Sequence, residues 1–172
     1  MTAFLAGQVL TAAELSSWTQ PLDVLKPSAT ARTSTTTFAD DPHLTLTVPA
    51  NQTYEGQLIV LFASGTTGDI KIQLTWAGTA SVTYSIMGPG TGIASTSAGA
   101  DVATGPTARL DTTSPGATLV AGGTTAGHLL IVPMRVSTTA TTTMTVQWAQ
   151  NASDATATSI LEGSWWTMRR VA

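Results

Sequence analysis

His43-Leu44-Thr45-Leu46-Thr47-Val48 alternates apolar and polar side chains without a break. Successive residues of a β-strand point to opposite faces, so Leu44, Leu46 and Val48 share one face and His43, Thr45 and Thr47 the other. The same period of two returns in Ile70, Ile72, Leu74 and Trp76, set against Asp69, Lys71, Gln73 and Thr75. It returns again in Val82, Tyr84 and Ile86, and in Met144, Val146 and Trp148. Leu58-Ile59-Val60-Leu61-Phe62 and Leu129-Leu130-Ile131-Val132 are continuous apolar runs, as expected of central strands covered on both faces. Turn residues separate these runs at Ala50-Asn51-Gln52, Ser64-Gly65-Thr66-Thr67-Gly68, Gly78, Gly88-Pro89-Gly90, Ser114-Pro115-Gly116 and Gly122-Gly123. Eight to ten short strands so punctuated predict an all-β fold, an antiparallel β-sandwich that is jelly-roll-like. An immunoglobulin-like sandwich is the alternative, but its Cys–Trp–Cys marker is absent.

Composition supports the same fold class. Of 172 residues only 10% are charged, against about 25% in an ordinary soluble domain. Thirty-four are Thr. Thr is β-branched, which favours the pleated backbone, and its hydroxyl tolerates water. Thr-rich strands therefore keep β geometry on a solvent face without charge. Two Lys are too few for a coiled coil, and the charge is too low for a disordered tail. The length predicts one domain. A net charge of −3 is weak protection against self-association and suits a protein that assembles with copies of itself.

Outside the strands, Thr11 and Glu14 have capping-box spacing and predict a short helix over residues 11–18. Residues 19–32, with Pro21 and Pro27, read as an extended linker. The expected division is an N-terminal arm with short helix and linker over 1–32, then the β-sandwich over 33–172. Residues 88–125 are the least periodic section and are expected to hold a long loop, with edge strands around 108–110 and 117–120. The final strand is expected over 164–171.

Few motifs carry chemistry. The absence of Cys excludes disulfides and zinc–thiolate sites. His43 and His128 are the two histidines, and without a Gly-x-Ser-x-Gly elbow a Ser–His–Asp site is not expected. Asp40-Asp41-Pro42 offers carboxylates for calcium or, as the simpler reading, an Asp that caps its own turn. Gly88-Pro89-Gly90-Thr91-Gly92 lacks the Lys and N–H groups of a phosphate loop. Isolated Glu14, Asp23, Glu55 and Asp69 suggest no glycosidase pair. Asn51-Gln52-Thr53 and Asn151-Ala152-Ser153 match the glycosylation pattern, which matters only with a secretory signal. The largest basic cluster is Arg169-Arg170, so no nucleic-acid partner is expected. The first ten residues lack a signal-peptide pattern and no run of eighteen apolar residues occurs, so synthesis in the cytoplasm and no membrane partner are expected. No catalytic residue, metal or cofactor is expected.

Two groups of residues point to docking instead. Phe4, Leu5, Val9, Leu10, Leu15 and Trp18 are apolar side chains placed before the sandwich, available either to fold back on it or to anchor a partner. Adjacent Trp165 and Trp166 must point to opposite faces of a strand, so one lies outside the core. With Arg169 and Arg170 as a rim, they form a candidate subunit interface. Trp76, Trp148, Trp165 and Trp166 also admit a sugar-stacking platform, although the register of Trp76 and Trp148 with aliphatic residues places those two in the core.

The opening Phe4-Leu5-Ala6-Gly7-Gln8-Val9-Leu10-Thr11-Ala12-Ala13-Glu14-Leu15 resembles the start of small tailed-bacteriophage virion proteins, in the pattern Phe-x-x-Gly-x-x-Leu-Thr-Ala-x-x-Leu. Residues 26–54, including Asp40-Asp41-Pro42-His43-Leu44-Thr45-Leu46-Thr47-Val48, are similar to a segment of virion proteins from phages that infect actinobacteria. The close, Gly163-Ser164-Trp165-Trp166-Thr167-Met168-Arg169-Arg170-Val171, fits the same group. The resemblance implies a structural protein on the virion exterior, made in the host cytoplasm, and no enzyme. It implies a capsid decoration (cement) or minor capsid protein bound to the major capsid protein or other virion proteins, as a homo-oligomer with a trimer among its forms. A minor tail or fibre-base protein is the alternative, and a carbohydrate-binding module for the host surface a third.

Overall fold

The computed structural model describes residues 20–77, 80–89, 107–123 and 125–171, together with Val9, Thr11 and Ala12. The described chain is all-β, with strands β1 (Leu22–Leu25), β2 (Thr30–Arg32), β3 (Ala39–Val48), β4 (Gln52–Ala63), β5 (Ile70–Trp76) and β6 (Ser81–Pro89). These are followed by β7 (Thr107–Thr112), β8 (Thr118–Ala121), β9 (His128–Thr138), β10 (Thr142–Gln150), β11 (Thr158–Ile160) and β12 (Trp165–Arg170). Of the helix expected over 11–18, Ala12 is helical and residues 13–18 lie outside the described residues, as do Phe4, Leu5 and Leu10.

Strands β3 to β10 pair as one long hairpin. β6 pairs with β7, β5 with β8, β4 with β9 and β3 with β10, all antiparallel. Doubling that hairpin over adds β10–β5 and β9–β6. The result is two sheets: one of four strands in the order β3-β10-β5-β8, and one of eight with the path β1-β12-β4-β9-β6-β7, with β2 and β11 beside it. The edge strands expected around 108–110 and 117–120 are β7 and β8, each at the end of its sheet.

The period of two decides what the sheets enclose. Leu44, Leu46, Val48, Ile70, Ile72, Leu74, Met144, Val146 and Trp148 face inward from the smaller sheet, all buried. They meet Leu58, Val60, Phe62, Val82, Tyr84, Ile86, Leu130, Val132, Val136, Trp166 and Met168 from the larger one. Trp76 is half-buried against this core, its ring edge-on to Tyr84 at 5.9 Å. Burial pushes the Tyr84 phenol up to about 12, and its hydroxyl donates to the carbonyl of Ser114 at 3.0 Å. On the outer face of the smaller sheet, Thr45 bonds Thr145 at 3.5 Å and Thr47 is 3.4 Å from Thr143. Gln73 there donates to Gln147 at 2.6 Å. Threonine and glutamine thus satisfy one another across the strands.

One expectation is corrected. Residues 19–32 are extended but are not a free linker: β1 pairs with β12 through Leu22↔Met168 and Leu25↔Trp165, and β2 pairs with β11. Pro21 and Pro27 lie just outside β1, where a missing N–H breaks no ladder bond. The alternation over His43–Val48 holds, and it breaks just before His43, where the register of β3 on β10 shifts between Thr45↔Thr145 and Asp40↔Gln147. Residues 41–44 therefore oppose a single residue, Val146, as a bulge that turns Asp41 inward.

Gly56 of β4 pairs with Met168 of β12, and a Cβ there would overlap the carbonyl oxygen of Thr167. Gly56→Ala is expected to destabilise the protein by about 3 kcal/mol, read as a fall in the denaturant midpoint at unchanged m-value.

Candidate functional site

The alternation Leu22-in, Asp23-out, Val24-in, Leu25-out carries Lys26 inward, and its side chain is fully buried. Its Nζ lies 2.8 Å from both carboxylate oxygens of Asp41, donates to Thr30 Oγ1 at 2.8 Å, and is 3.3 Å from His43 Nδ1. Asp41 Oδ1 also accepts the backbone N–H groups of His43 (3.0 Å) and Leu44 (3.1 Å), and Oδ2 accepts Trp148 Nε1 (3.2 Å). The capping role read for Asp41 is therefore present, and the carboxylate is saturated with donors. Asp40 accepts Gln147 Nε2 at 2.7 Å instead of joining it. No group of three or more metal-ligating side chains occurs among the described residues. The cluster is a clamp: Lys26 N donates to Ser164 O at 2.8 Å, and Gly163 N to Lys26 O at 3.1 Å, so β1, β3 and β12 are tied at one point.

Ser64 Oγ is buried without a hydrogen-bond partner. His128 packs against the Phe62 ring at 5.5 Å. Asp69 accepts a backbone bond from Gly123, and burial raises its carboxyl above the usual range.

The surface feature that stands out is on the outer face of the eight-stranded sheet. Register aligns Leu25↔Trp165, Trp165↔Ile59, Ile59↔Ile131 and Ile131↔Met87 as one row across five strands. Directly paired residues of an antiparallel sheet share a face, so these five form an apolar row, with Ile59 buried at its middle and Met87 paired onward to Arg109 of β7. Leu61↔Leu129 continues it one step along β4 and β9. Leu25 is 68% exposed, Leu129 42% and Trp165 37%. The run in β4 is buried through Leu58, Ile59 and Val60, as expected of a central strand, whereas in β9 the outward Leu129 is exposed and Ile131 half-buried, so that run is covered on one face only. The even-numbered residues of both runs fill the core and the odd-numbered ones build this row. Polar rows lie beyond it: Thr167↔Gln57↔Pro133, then Arg169↔Glu55↔Arg135, where Arg135 and Glu55 pair at 3.1 Å.

The Trp165/Trp166 pair splits as strand geometry requires. Trp165 is on the outer row, while Trp166 is fully buried, so Trp166 belongs to the core and not to a surface. Arg169 is exposed and Arg170 half-buried near Tyr54, its strand partner. Val9, from the N-terminal arm, is exposed. Of the four tryptophans considered for a sugar platform, Trp148 and Trp166 are buried and Trp76 packs on the core, leaving Trp165. Sequence reading missed the Lys26–Asp41 clamp. Its signal was the inward parity of Lys26 after Leu22 and Val24.

Lys26→Met is expected to cost about 3–5 kcal/mol, because it leaves Asp41 buried without its cation; chemical denaturation measures this. Burial lowers the His128 imidazole below its ordinary value of 6.5. Between that lowered value and 6.5 the unfolded chain binds a proton that the folded chain refuses. His128 thus supports the fold above pH 6.5, and that support is lost as pH falls through the window. Melting temperature should decline on this acid side, and His128→Gln should flatten the decline.

No protein-family model matches the chain, and no curated protein matches it either.

Proposed function

We propose that this chain is a structural protein of a bacteriophage virion, a capsid decoration subunit that binds the outside of the capsid lattice. The observation that carries the reading is the pairing of an almost uncharged two-sheet body with apolar surface gathered at one place. The outer row Leu25–Trp165–Ile59–Ile131–Met87 lies on the sheet whose edge strand, β1, follows the apolar N-terminal arm in sequence. A catalytic protein uses its surface to position charge; a subunit of an assembly uses it to exclude water. The nested pairing of β3–β10, β4–β9, β5–β8 and β6–β7 supports assignment of the sandwich to the jelly-roll type, which viral capsid domains share. The sequence resemblance of residues 4–15, 26–54 and 163–171 to phage virion proteins supports the same reading.

In mechanism, the arm supplies the contact with the lattice through Phe4, Leu5, Val9, Leu10, Leu15 and Trp18, and the sandwich spreads over the junction between capsid subunits. Binding to the assembled state alone stabilises it by mass action, about 2.7 kcal/mol per site at a free concentration a hundredfold above Kd.

Quantitative mass spectrometry of purified virions tests the location: hundreds of copies per particle are expected, whereas a handful would place the protein in the tail. Deleting residues 1–20, which stops short of β1, is expected to abolish capsid association with the β circular-dichroism spectrum retained. Undiminished binding by that deletion would sink the arm's role.

A further inference from the structure

We propose that the buried Lys26–Asp41 pair is a site of self-modification, where the Lys26 amine and the Asp41 side-chain carboxyl condense to an amide. The new bond joins the end of β1 covalently to β3. The inference stands on the geometry of the clamp and does not depend on a virion role.

Both side chains are fully buried, and Nζ lies 2.8 Å from each carboxylate oxygen. The two oxygens of a carboxylate are about 2.2 Å apart, so equal contacts hold Nζ within about 3.2 Å of Cγ, a near-attack separation. The surrounding groups are placed as a condensation requires. Asp41 Oδ1 accepts the backbone N–H groups of His43 at 3.0 Å and Leu44 at 3.1 Å. These are two fixed donors at the oxygen where negative charge collects when Cγ is attacked. Oδ2, the oxygen that departs, accepts Trp148 Nε1 at 3.2 Å. His43 Nδ1 lies 3.3 Å from Nζ, in reach of the protons that the nitrogen must lose. A salt bridge needs no imidazole against its ammonium, whereas an amine that becomes an amide does need a proton acceptor.

The step balances within the cluster. One ammonium proton passes to Oδ2, which leaves a neutral amine beside a carboxylic acid. The nitrogen lone pair attacks Cγ, and the C=O π pair moves to Oδ1. His43 Nδ1 takes a second proton from the nitrogen and returns it to Oδ2. The Cγ–Oδ2 bond then breaks, water leaves, and the carbonyl re-forms at Oδ1. A neutral amide replaces two buried charges, whose desolvation opposes folding. The water departs past Thr30 and His43, which are half-buried beside exposed Pro27 and Pro42. Both ends are able to close the gap, because Lys26 reaches in on a flexible four-carbon stem just after β1 and Asp41 sits at the bulge of β3.

Mass spectrometry of the full folded chain tests the proposal. On incubation the intact chain should lose the mass of one water. Trypsin cuts after Arg32 and Lys71 but not between Lys26 and Pro27, so residues 1–32 and 33–71 should leave as one branched peptide. Lys26→Arg places a guanidinium where the amine stood and should keep the full mass. His43→Ala, with its β circular-dichroism spectrum retained, should slow the loss of water about a hundredfold. Peptides 1–32 and 33–71 recovered separately from a chain kept folded for days overturn the proposal, and that result stands even where Lys26→Arg fails to fold. So does a loss of water that persists in Lys26→Arg, or one that His43→Ala leaves at the same rate. Failure of the virion reading would be seen in particle copy number and leaves the peptide map untouched.

Discussion

The fully buried pair of Lys26 and Asp41 is the contact that the larger sheet depends on. Desolvating two charges is unfavourable unless both are saturated with partners. Here Asp41 accepts the Lys26 ammonium on both oxygens, two backbone N–H groups and the Trp148 indole, while Lys26 also reaches Thr30. The partners come from β2, β3 and β10 and the end of β1. One interaction thus fixes where the first strands meet the sandwich. It also explains the bulge in β3: only by crowding residues 41–44 opposite Val146 does the chain turn a carboxylate toward the core at that height.

With β1 held against β12, the sheet gains a strand whose parity is set. Lys26 points inward, so Leu25 points outward and lines up with Trp165. The clamp inside and the apolar row outside are consequences of one register. A slip of a single residue would move Lys26 to solvent, bury Leu25 and break the row. The stability of the edge and the chemistry of the face are coupled through the pleat.

Much of this fold is legible in the sequence because its strands alternate. Leu44-Thr45-Leu46-Thr47-Val48 and Met144-Thr145-Val146-Gln147-Trp148 announce which face is buried, and the structure places those faces as the period requires. Trp165-Trp166 likewise had to divide between surface and core, though parity alone does not say which goes where. The continuous run in β9 misled for a physical reason: an unbroken apolar run is compatible with burial on two faces, as at Ile59 of β4, or with one face left partly open, as at Leu129. Residues 19–32 misled because two prolines suggest a linker, and prolines are equally at home just outside the ends of an edge strand.

Sequence by itself determined the class, since period-two hydrophobicity, turn residues and the replacement of charge by threonine are local properties of the chain. It also marked out the residues with apolar side chains to spare, Trp165 among them. Which strand neighbours which, that Lys26 finds Asp41, and that Leu25, Trp165, Ile59, Ile131 and Met87 form one row were decided by tertiary structure alone. Those residues are scattered over more than a hundred positions, and only the pairing of β1, β12, β4, β9 and β6 brings them to a common line. Pairing is a property of the whole hairpin doubled on itself, and a local pattern holds no record of it.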